Sequence, residues 1–296
     1  MHARPGMAAR GTVTTTDELD PRVLPRGGLT RFAPAPTGYL HLGHVANAAW
    51  VWGVAAVVEA QVLLRIEDHD ATRARPEFDA AILEDLAWLG FSADLGPVRQ
   101  SDPAAQAAYG DAAARLHADG LVYGCDCTRT TIAAWADAHG RPWRGGGCPG
   151  SCRERDLAGP VLRVVLGGGS ETWMDGLLGP CGDEVAPNGD LPIRDRHGHW
   201  TYGFCVAVDD LRQDVTLVIR GRDLLHATPA QIRLGHLLGR SAPATFLHHR
   251  LIRRPDGSKL SKSAGDTGVR QLRAVGRTPA EVIAAATALV GPAATD

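Results

Sequence analysis

Lysine is almost absent from this chain of 296 residues. Only two of its 31 basic residues are lysine, and all the others are arginine. Both lysines, Lys259 and Lys262, lie in one short stretch, Ser258–Ser263 (SKLSKS). Lysine is a compact charge on a flexible stem, whereas arginine is a planar fork. Because a mobile point charge suits the changing charge of a polyphosphate during reaction, this stretch is a candidate phosphate site.

Long apolar runs and a secretory signal are also lacking. The longest apolar run, residues 45–58, is shorter than the roughly 20 residues of a membrane-spanning helix. Residues 1–28 contain no apolar core segment, so they predict a largely disordered tail and not a signal peptide. Six cysteines without such a signal favour reduced thiols or a metal site over disulfides. We therefore expect a cytoplasmic protein that is not bound to a membrane.

The charge balance excludes a uniformly basic nucleic-acid coat, since the net charge is −2. A local basic face is nevertheless present, because residues 250–277 hold eight basic side chains against two acidic ones. A hydrophobic content of 44% and a charged content of 22% are typical of a globular protein. The chain is long enough to bury a sizeable core.

The first third of the chain has the order of a βαβ unit. Residues 29–33 predict a strand, residues 45–60 a helix and residues 62–66 a second strand, as in parallel sheets. His41–His44 (HLGH) opens the helix, and Glu67–Asp70 (EDHD) follows the second strand. Ligands of such sheets bind beyond the carboxyl ends of the strands, and a helix N-terminus attracts phosphate. Taken alone, either motif also fits ordinary surface side chains, and EDHD also fits a metal site.

Two later segments, residues 206–210 and 215–219, are predicted as apolar strands that end in charge. Asp209 and Asp210 close the first of them, where they fit a functional role or a solvated strand end or helix cap. Helices predicted over residues 79–89 and 104–117 have apolar side chains at helical spacing and are typical of scaffold.

Four cysteines occur as a C-x-C pair and a C-x3-C pair that bracket a polar, glycine-rich segment. This spacing fits tetrahedral thiolate ligation of one Zn²⁺. The alternative is reduced cysteines in a core, but Asp126 and the glycines at 145–147 are poor core neighbours. Cys181 and Cys205 have no partner nearby in sequence and are interpreted as packing residues. The predicted zinc ligands are Cys125, Cys127, Cys148 and Cys152.

Four motifs together resemble the catalytic core of the glutamyl-tRNA synthetases: Arg31–Gly38 (RFAPAPTG), HLGH, Arg65–Asp68 (RIED) and Lys259–Ser263 (KLSKS). These are class I synthetases, and the resemblance extends from about residue 30 to residue 272. It implies an α/β fold with a Rossmann-like parallel sheet and an inserted zinc-binding, acceptor-side subdomain. Because the chain ends soon after KLSKS, it looks like the short glutamyl-queuosine tRNA(Asp) synthetases, which have no anticodon-binding domain.

The resemblance also implies how the chain is divided. After the tail we expect a first catalytic half, an insertion, a second catalytic half and a final segment with the KLSKS loop and short helices. The expected bounds are 1–28, 29–122, 123–199, 200–245 and 246–296.

The family activates glutamate with ATP and transfers it to queuosine in tRNA(Asp), and we expect the same reaction here. We also expect a monomer, with Mg²⁺ carried mainly by the nucleotide. By resemblance, His41, Gly43, His44 and Lys262 bind ATP, and His41, His44, Lys259 and Lys262 form the catalytic set. Glu67 would bind the glutamate ammonium, and Arg31 and Arg220 its side-chain carboxylate, with the dominant arginine left open. The full glutamate-binding set is Arg31, Phe32, Ala33, Pro34, Ala35, Glu67, Tyr202 and Arg220.

Three positions depart from the family pattern: Ala35 replaces the usual serine, His69 the usual threonine or leucine, and Gly203 a polar residue. A missing hydrogen-bonding group in a pocket can change discrimination strongly, so the amino acid is implied less firmly than the reaction. Other hypotheses are an enzyme that charges a tRNA end, carrier protein or small molecule, and a non-catalytic RNA-binding protein. A nucleotide transferase with an HxGH motif is disfavoured by the arginine and glutamate of the predicted amino-acid pocket.

We predict that Lys262→Arg, which keeps the charge, slows adenylate formation severely because the planar guanidinium cannot follow the departing pyrophosphate. ATP–pyrophosphate exchange measures this step directly. An exchange rate near that of the unmodified protein would contradict the inference from lysine scarcity.

Overall fold

The computed structural model describes residues 19, 21–140, 147–155, 157, 159–187, 189–250 and 268–289. Its catalytic region begins with parallel strands that alternate with helices, so the predicted βαβ order is confirmed. The elements of this first half are β1 (Leu29–Phe32), α1 (Leu42–Val58), β2 (Gln61–Ile66), α2 (Pro76–Leu89), β3 (Leu95–Arg99) and α3 (Pro103–Ala118).

The second half adds more parallel strands beside the first. Its elements are α6 (Tyr202–Arg212), β9 (Leu217–Gly221), a short 3-10 helix (Arg222–Ala227), α7 (Thr228–Leu237), β10 (Thr245–His249), α8 (Val269–Ala274) and α9 (Pro279–Ala288). Strands β1, β2 and β3 are hydrogen-bonded in that order, and β9 pairs in parallel with β10. The backbone N–H of Thr216, just before β9, donates to the carbonyl of Leu29 in β1 at 2.9 Å. The two halves of the catalytic region therefore meet at β1 and β9.

A separate antiparallel sheet lies between the halves in sequence. It has the order β4-β5-β8, from β4 (Val122–Cys125), β5 (Val161–Val164) and β8 (Leu191–Arg194). Helices α4 (Arg129–Ala138) and α5 (Ser151–Glu154) belong to the same stretch.

The hairpin of β6 (Ser170–Asp175) and β7 (Gly179–Glu184) departs from the expected division of the chain. Its residues were predicted within the insertion at 123–199, yet β6 pairs in parallel with β10, at Asp175 and Phe246. The second parallel sheet thus has the order β7-β6-β10-β9. A strand of the inserted segment is therefore part of the catalytic sheet.

Two other expectations are wrong in part. Residues 206–210 belong to helix α6 and not to a strand; all residues from 204 to 210 are buried, and a short, continuously buried run has no periodicity that separates helix from strand. Residues 21–28 were assigned to a disordered tail, but Leu24 is buried in the main core. Residues 1–18 and 20 lie outside the described residues.

Helix α1 is the centre of this core. Its valines at 45, 51, 54 and 58 are buried, and its neighbours include β1, β2, β9 and α9. The sheet holds this helix so that its first turn meets the carboxyl ends of the strands. Within the described ranges, no helix is long and apolar enough to cross a bilayer.

Asp85 in α2 is a buried acidic residue, and its burial costs folding free energy. Its side chain is fully buried, and neither carboxylate oxygen has a hydrogen-bond partner among the described residues. Burial raises the pKa of Asp85 to about 6, although Arg270 and Arg273 oppose the shift.

Because the folded pKa of Asp85 lies above its unfolded value, its contribution to stability falls as the pH rises from about 4 to about 6. We compare the unfolding free energy of Asp85→Asn with that of the unmodified protein at each pH. We predict that this difference becomes about 2 kcal/mol more favourable to the variant when the pH rises from about 4 to about 8. Urea unfolding at several pH values measures this difference, with Asp111→Asn on the exposed face of α3 as the control. A difference that does not vary with pH would contradict the prediction.

Candidate active site

A cavity of about 330 Å³ opens where the parallel strands end and α1 begins. Arg31 reaches it from β1 and Arg220 from β9, while Ala33 and Glu67 directly follow β1 and β2. This edge is where sheets of this type bind ligands. The cavity is lined by Arg31, Ala33, His41, Gly43, His44, Asn47, Glu67, Tyr202, Ile219, Arg220, Gly221, Asp223, Leu224 and His249.

HLGH forms the N-terminus of α1, with His41 as the N-cap. The Nδ1 atom of His41 accepts from the backbone N–H of Gly43 at 3.0 Å, and Nδ1 of His44 accepts from that of His41 at 3.1 Å. In the neutral rings, Nε2 therefore carries the proton and is a donor. A Cβ at Gly43 would lie 2.7 Å from the His41 ring, so any other residue there would displace that ring. The motif thus presents imidazole donors at a helix N-terminus, an arrangement suited to phosphate.

A buried charge cluster forms one wall of the cavity. Asp210 accepts from Arg31 Nε at 3.1 Å and from Arg65 Nη1 at 2.7 Å, and Arg65 Nη2 donates to Glu67 Oε1 at 3.1 Å. Asp209 lies behind it, where its carboxylate accepts from Tyr109 Oη at 2.8 Å. The aspartates are thus neither a solvated strand end nor a simple helix cap, since they are 0% and 7% exposed.

The cluster sets the charge of its carboxylates. Burial would raise the pKa of Asp210, but Arg31 and Arg65 outweigh it and lower the pKa to about 2. For Glu67 burial is the stronger effect and raises the pKa, although Arg65 and Arg31 oppose it. Asp210 is therefore a fixed anion, whereas Glu67 is a carboxylate that gains from another cation nearby.

Arg220 differs from Arg31 in what surrounds it. Its guanidinium donates to Gln231 Oε1 at 2.6 Å, to Thr228 Oγ1 at 2.7 Å and to His248 Nε2 at 3.1 Å. Among the described residues, all its hydrogen-bond partners are therefore uncharged. Burial lowers the pKa of Arg220 to about 10, so it stays charged at neutral pH. A buried cation that has no anionic hydrogen-bond partner in the described part of the chain is expensive, and this one lines the cavity.

Tyr202 lines the cavity, and His69 lies near it. Tyr202 is the first residue of α6, and burial and the nearby Glu67 raise its pKa to about 12, so its hydroxyl stays a donor. His69 lies with its ring centre 6.2 Å from that of Tyr202, and its Nδ1 is 2.7 Å from Gln100 Oε1. His69, one of the three departures, is thus close to a cavity wall.

Several predicted site residues lie elsewhere. Phe32, Pro34 and Ala35 are not among the cavity-lining residues; Phe32 is buried in the core beside Trp52, with ring centres 5.3 Å apart. A side chain at Gly203 would contact Leu191 at 3.5 Å. Lys259 and Lys262 lie outside the described residues.

Sequence reasoning missed several lining residues, among them Asn47 and His249. His249 Nε2 is 3.0 Å from Asn47 Oδ1, and its ring stacks on Trp50 with the ring centres 5.9 Å apart. No local pattern marks these residues. Asp210 could have been found from the sequence, because it is an acidic residue at the end of an apolar run.

The four predicted zinc ligands come together in the inserted region. The sulfurs of Cys125, Cys127, Cys148 and Cys152 all lie within 4.8 Å of one another. Cys127 Sγ is 3.3 Å from Cys152 Sγ and 3.7 Å from Cys148 Sγ, so these are free thiols and not disulfides. Tetrahedral zinc with bonds of about 2.3 Å separates its sulfurs by about 3.8 Å, so this set fits the ion.

The chain matches one family model, described as tRNA synthetases class I (E and Q), catalytic domain, over residues 29–145 and 151–294. A glutamyl-Q tRNA(Asp) synthetase of Rhodobacter capsulatus is 39% identical over 275 residues, which are 86% of this chain and 98% of that protein. One of Symbiobacterium thermophilum is 38% identical over 272 residues, 86% of this chain and 83% of that protein.

A solved structure shares the fold. The glutamate tRNA ligase of Elizabethkingia meningosepticum, crystallised in complex with its amino acid, has a TM-score of 0.67 and 26% identity. The match covers 85% of this chain and 54% of that one, so this chain spans about half the length of the solved ligase. The predicted α/β class with a parallel sheet and the resemblance found in the motifs are both confirmed.

Proposed function

Because the chain belongs to the class I tRNA synthetases of the E and Q type, ligases of the aminoacyl-tRNA synthetase class, we propose that it activates glutamate with ATP and transfers the glutamyl group to the queuosine base of tRNA(Asp). The acceptor is supported by the names of relatives that match over 83% and 98% of their own length.

Arg220 is the observation that carries the choice of amino acid. A guanidinium has five N–H donors, and three of those of Arg220 are used by uncharged acceptors within the described residues. The remaining two suit a bidentate carboxylate, whose charge would also offset the cost of burying the cation. Arg31 is already paired with Asp210, so we assign the side-chain carboxylate mainly to Arg220.

The other end of the amino acid faces Glu67. One of its oxygens accepts from Arg65, and we assign the second to the substrate ammonium. Burial raises the pKa of this carboxyl, and a bound ammonium would favour its ionised form. The cavity then has a negative group for the ammonium and a positive group for the side-chain carboxylate, and both groups are complementary to glutamate.

Activation requires no general base, because the α-carboxylate of glutamate is ionised at neutral pH. One carboxylate oxygen attacks the α-phosphorus of ATP, the bond from that phosphorus to the bridging oxygen breaks, and pyrophosphate leaves. In the second step the acceptor attacks the acyl carbon, the bond from that carbon to the phosphate oxygen breaks, and AMP leaves while the acceptor loses a proton. Catalysis then depends on positioning and charge stabilisation.

The phosphates belong at the start of α1. His41 and His44 would donate from Nε2, and Gly43 allows close approach of the nucleotide to the backbone. Mg²⁺ bound to the nucleotide would neutralise phosphate charge. The roles of Lys259 and Lys262 on the pyrophosphate stay predictions.

The cysteine cluster is proposed as a structural zinc site. Four thiolates leave no open position on a tetrahedral ion, so it would stabilise the fold and not take part in the reaction. Two of its ligands are Cys125 in β4 and Cys127, and the other two are Cys148 and Cys152 at α5, so the ion would tie these two segments together.

We predict that Arg220→Gln raises the KM for glutamate about 10- to 100-fold, because a charged hydrogen bond contributes about 1.5–3 kcal/mol. Glutamate-dependent ATP–pyrophosphate exchange without RNA measures it. The control is Arg233→Gln, a partly buried arginine paired with Glu171 that does not line the cavity. The activation step is contradicted if no glutamate-dependent exchange occurs with folded, unmodified protein.

The acceptor is tested with tRNA(Asp) that does or does not carry queuosine. We expect radiolabelled glutamate to be attached only to the queuosine-containing tRNA. Equal labelling of both forms, or labelling of ordinary tRNA ends, would contradict the proposed acceptor and leave the activation step in place.

We predict that Cys152→Ser lowers bound zinc from about one ion per chain and lowers the melting temperature. Mass-spectrometric metal analysis measures the zinc, with Cys181→Ser in β7, outside the cluster, as the control. Cobalt exchange in the unmodified protein supplies a second test, since four thiolates give a tetrahedral thiolate–cobalt spectrum. Full zinc content in the Cys152 variant would rule out this site.

A further inference from the structure

The orientation of Arg220 depends on side chains beyond the cavity. Its Nε donates to Nε2 of His248 at 3.1 Å, and His248 is completely buried on the next strand, β10. Because an arginine N–H can only donate, Nε2 of His248 must be an acceptor. The neutral ring then has its proton on Nδ1.

The other side of the imidazole faces a carboxylate. Nδ1 of His248 lies 2.6 Å from Oδ2 of Asp175, which is also completely buried. Proton donation to Asp175 selects the tautomer that leaves Nε2 free to accept from Arg220. Three side chains from β6, β10 and β9 thus form a continuous hydrogen-bonded chain.

Asp175 is itself held in place. Its Oδ1 accepts from the backbone N–H groups of Leu177 and Leu178 at 3.0 and 3.1 Å. Burial would raise the pKa of Asp175, but the hydrogen bonds from His248 and these two backbone groups lower it. Asp175 is therefore an ionised acceptor at neutral pH.

We propose that Asp175 and His248 are positioning residues that orient Arg220 for the side-chain carboxylate of the amino acid, and so support selection of glutamate over glutamine. This rests on the proposed role of Arg220. Reversal of the His248 tautomer would place an Nε2–H against the Nε–H of Arg220, and the guanidinium would turn away. Neither positioning residue lines the cavity.

Asp175→Asn isolates the tautomer. The amide oxygen of asparagine can still accept from Leu177 and Leu178, while its NH₂ faces Nδ1 of His248 and favours the reversed tautomer. We expect the KM for glutamate to rise about tenfold or more, with the KM for ATP unchanged and discrimination against glutamine reduced. These are measured by pyrophosphate exchange at saturating ATP.

The matched control is Asp195→Asn. Asp195 likewise accepts from two backbone N–H groups and lies 3.4 Å from a histidine, His199, but its side chain is 41% exposed and does not line the cavity. The KM of the Asp195→Asn variant for glutamate should equal that of the unmodified protein. A merely structural role for Asp175 would lower stability without the split between glutamate and ATP.

Replacement of His248 gives a second test should Asp175→Asn fail to fold. His248→Gln carries a side-chain oxygen that can accept from Arg220, whereas His248→Leu carries none, so the glutamine variant should keep the lower KM for glutamate. Equal KM values in the two variants would overturn the proposal.

Nitrogen-15 NMR of the imidazoles reads the tautomer without any reaction, with His248 assigned from the spectrum of His248→Gln. We expect proton attachment at Nδ1 in the unmodified protein and at Nε2 in Asp175→Asn. An Nε2-protonated ring in the unmodified protein, or a reversed ring with unchanged glutamate KM, would overturn the proposal. Absence of exchange with glutamate would instead refute the proposed function, since the tautomer is measured separately.

Discussion

The structure of the site depends on one buried cation, Arg65. Its side chain is 0% exposed, and it contacts Asp210 at 2.7 Å, Glu67 at 3.1 Å and Asp209 at 3.9 Å. Arg65 is compensated by these three anions, so the removal of any one of these carboxylates would carry a large cost. Because Arg65 comes from β2 and the aspartates from α6, the same contacts join this helix to the sheet.

The two arginines of the cavity, Arg31 and Arg220, differ in their hydrogen-bond partners, and these partners decide which of them can bind an anion. Asp210 pairs with Arg31, whereas the hydrogen-bond acceptors of Arg220 within the described residues are all uncharged. Both have the same chemistry, and no sequence pattern separates them. The difference favours Arg220 as the residue that receives an anion.

The inserted segment contributes to the site as well as to the cysteine cluster. Its hairpin supplies β6, and β6 carries Asp175 to the back of His248. The segment would thus serve two purposes: the cluster ties β4 to the segment at α5, while the hairpin supports the cavity from behind the sheet.

The sequence by itself determined the features that depend on neighbours along the chain. HLGH forms a helix N-terminus because its capping partners lie two and three residues apart, and the C-x-C and C-x3-C pairs each place two sulfurs together by local geometry. The alternation of strand and helix around them was predictable for the same reason.

Only the tertiary structure decided the rest. Residues 206–210 form a helix because packing on both sides, and not periodicity, buries them. Asp175 and His248 meet across 73 residues of sequence, and Arg31 and Asp210 across 179. Such partners are brought together by the order of strands in the sheet, which no local pattern records, and it is they that set the charge and orientation of the side chains in the cavity.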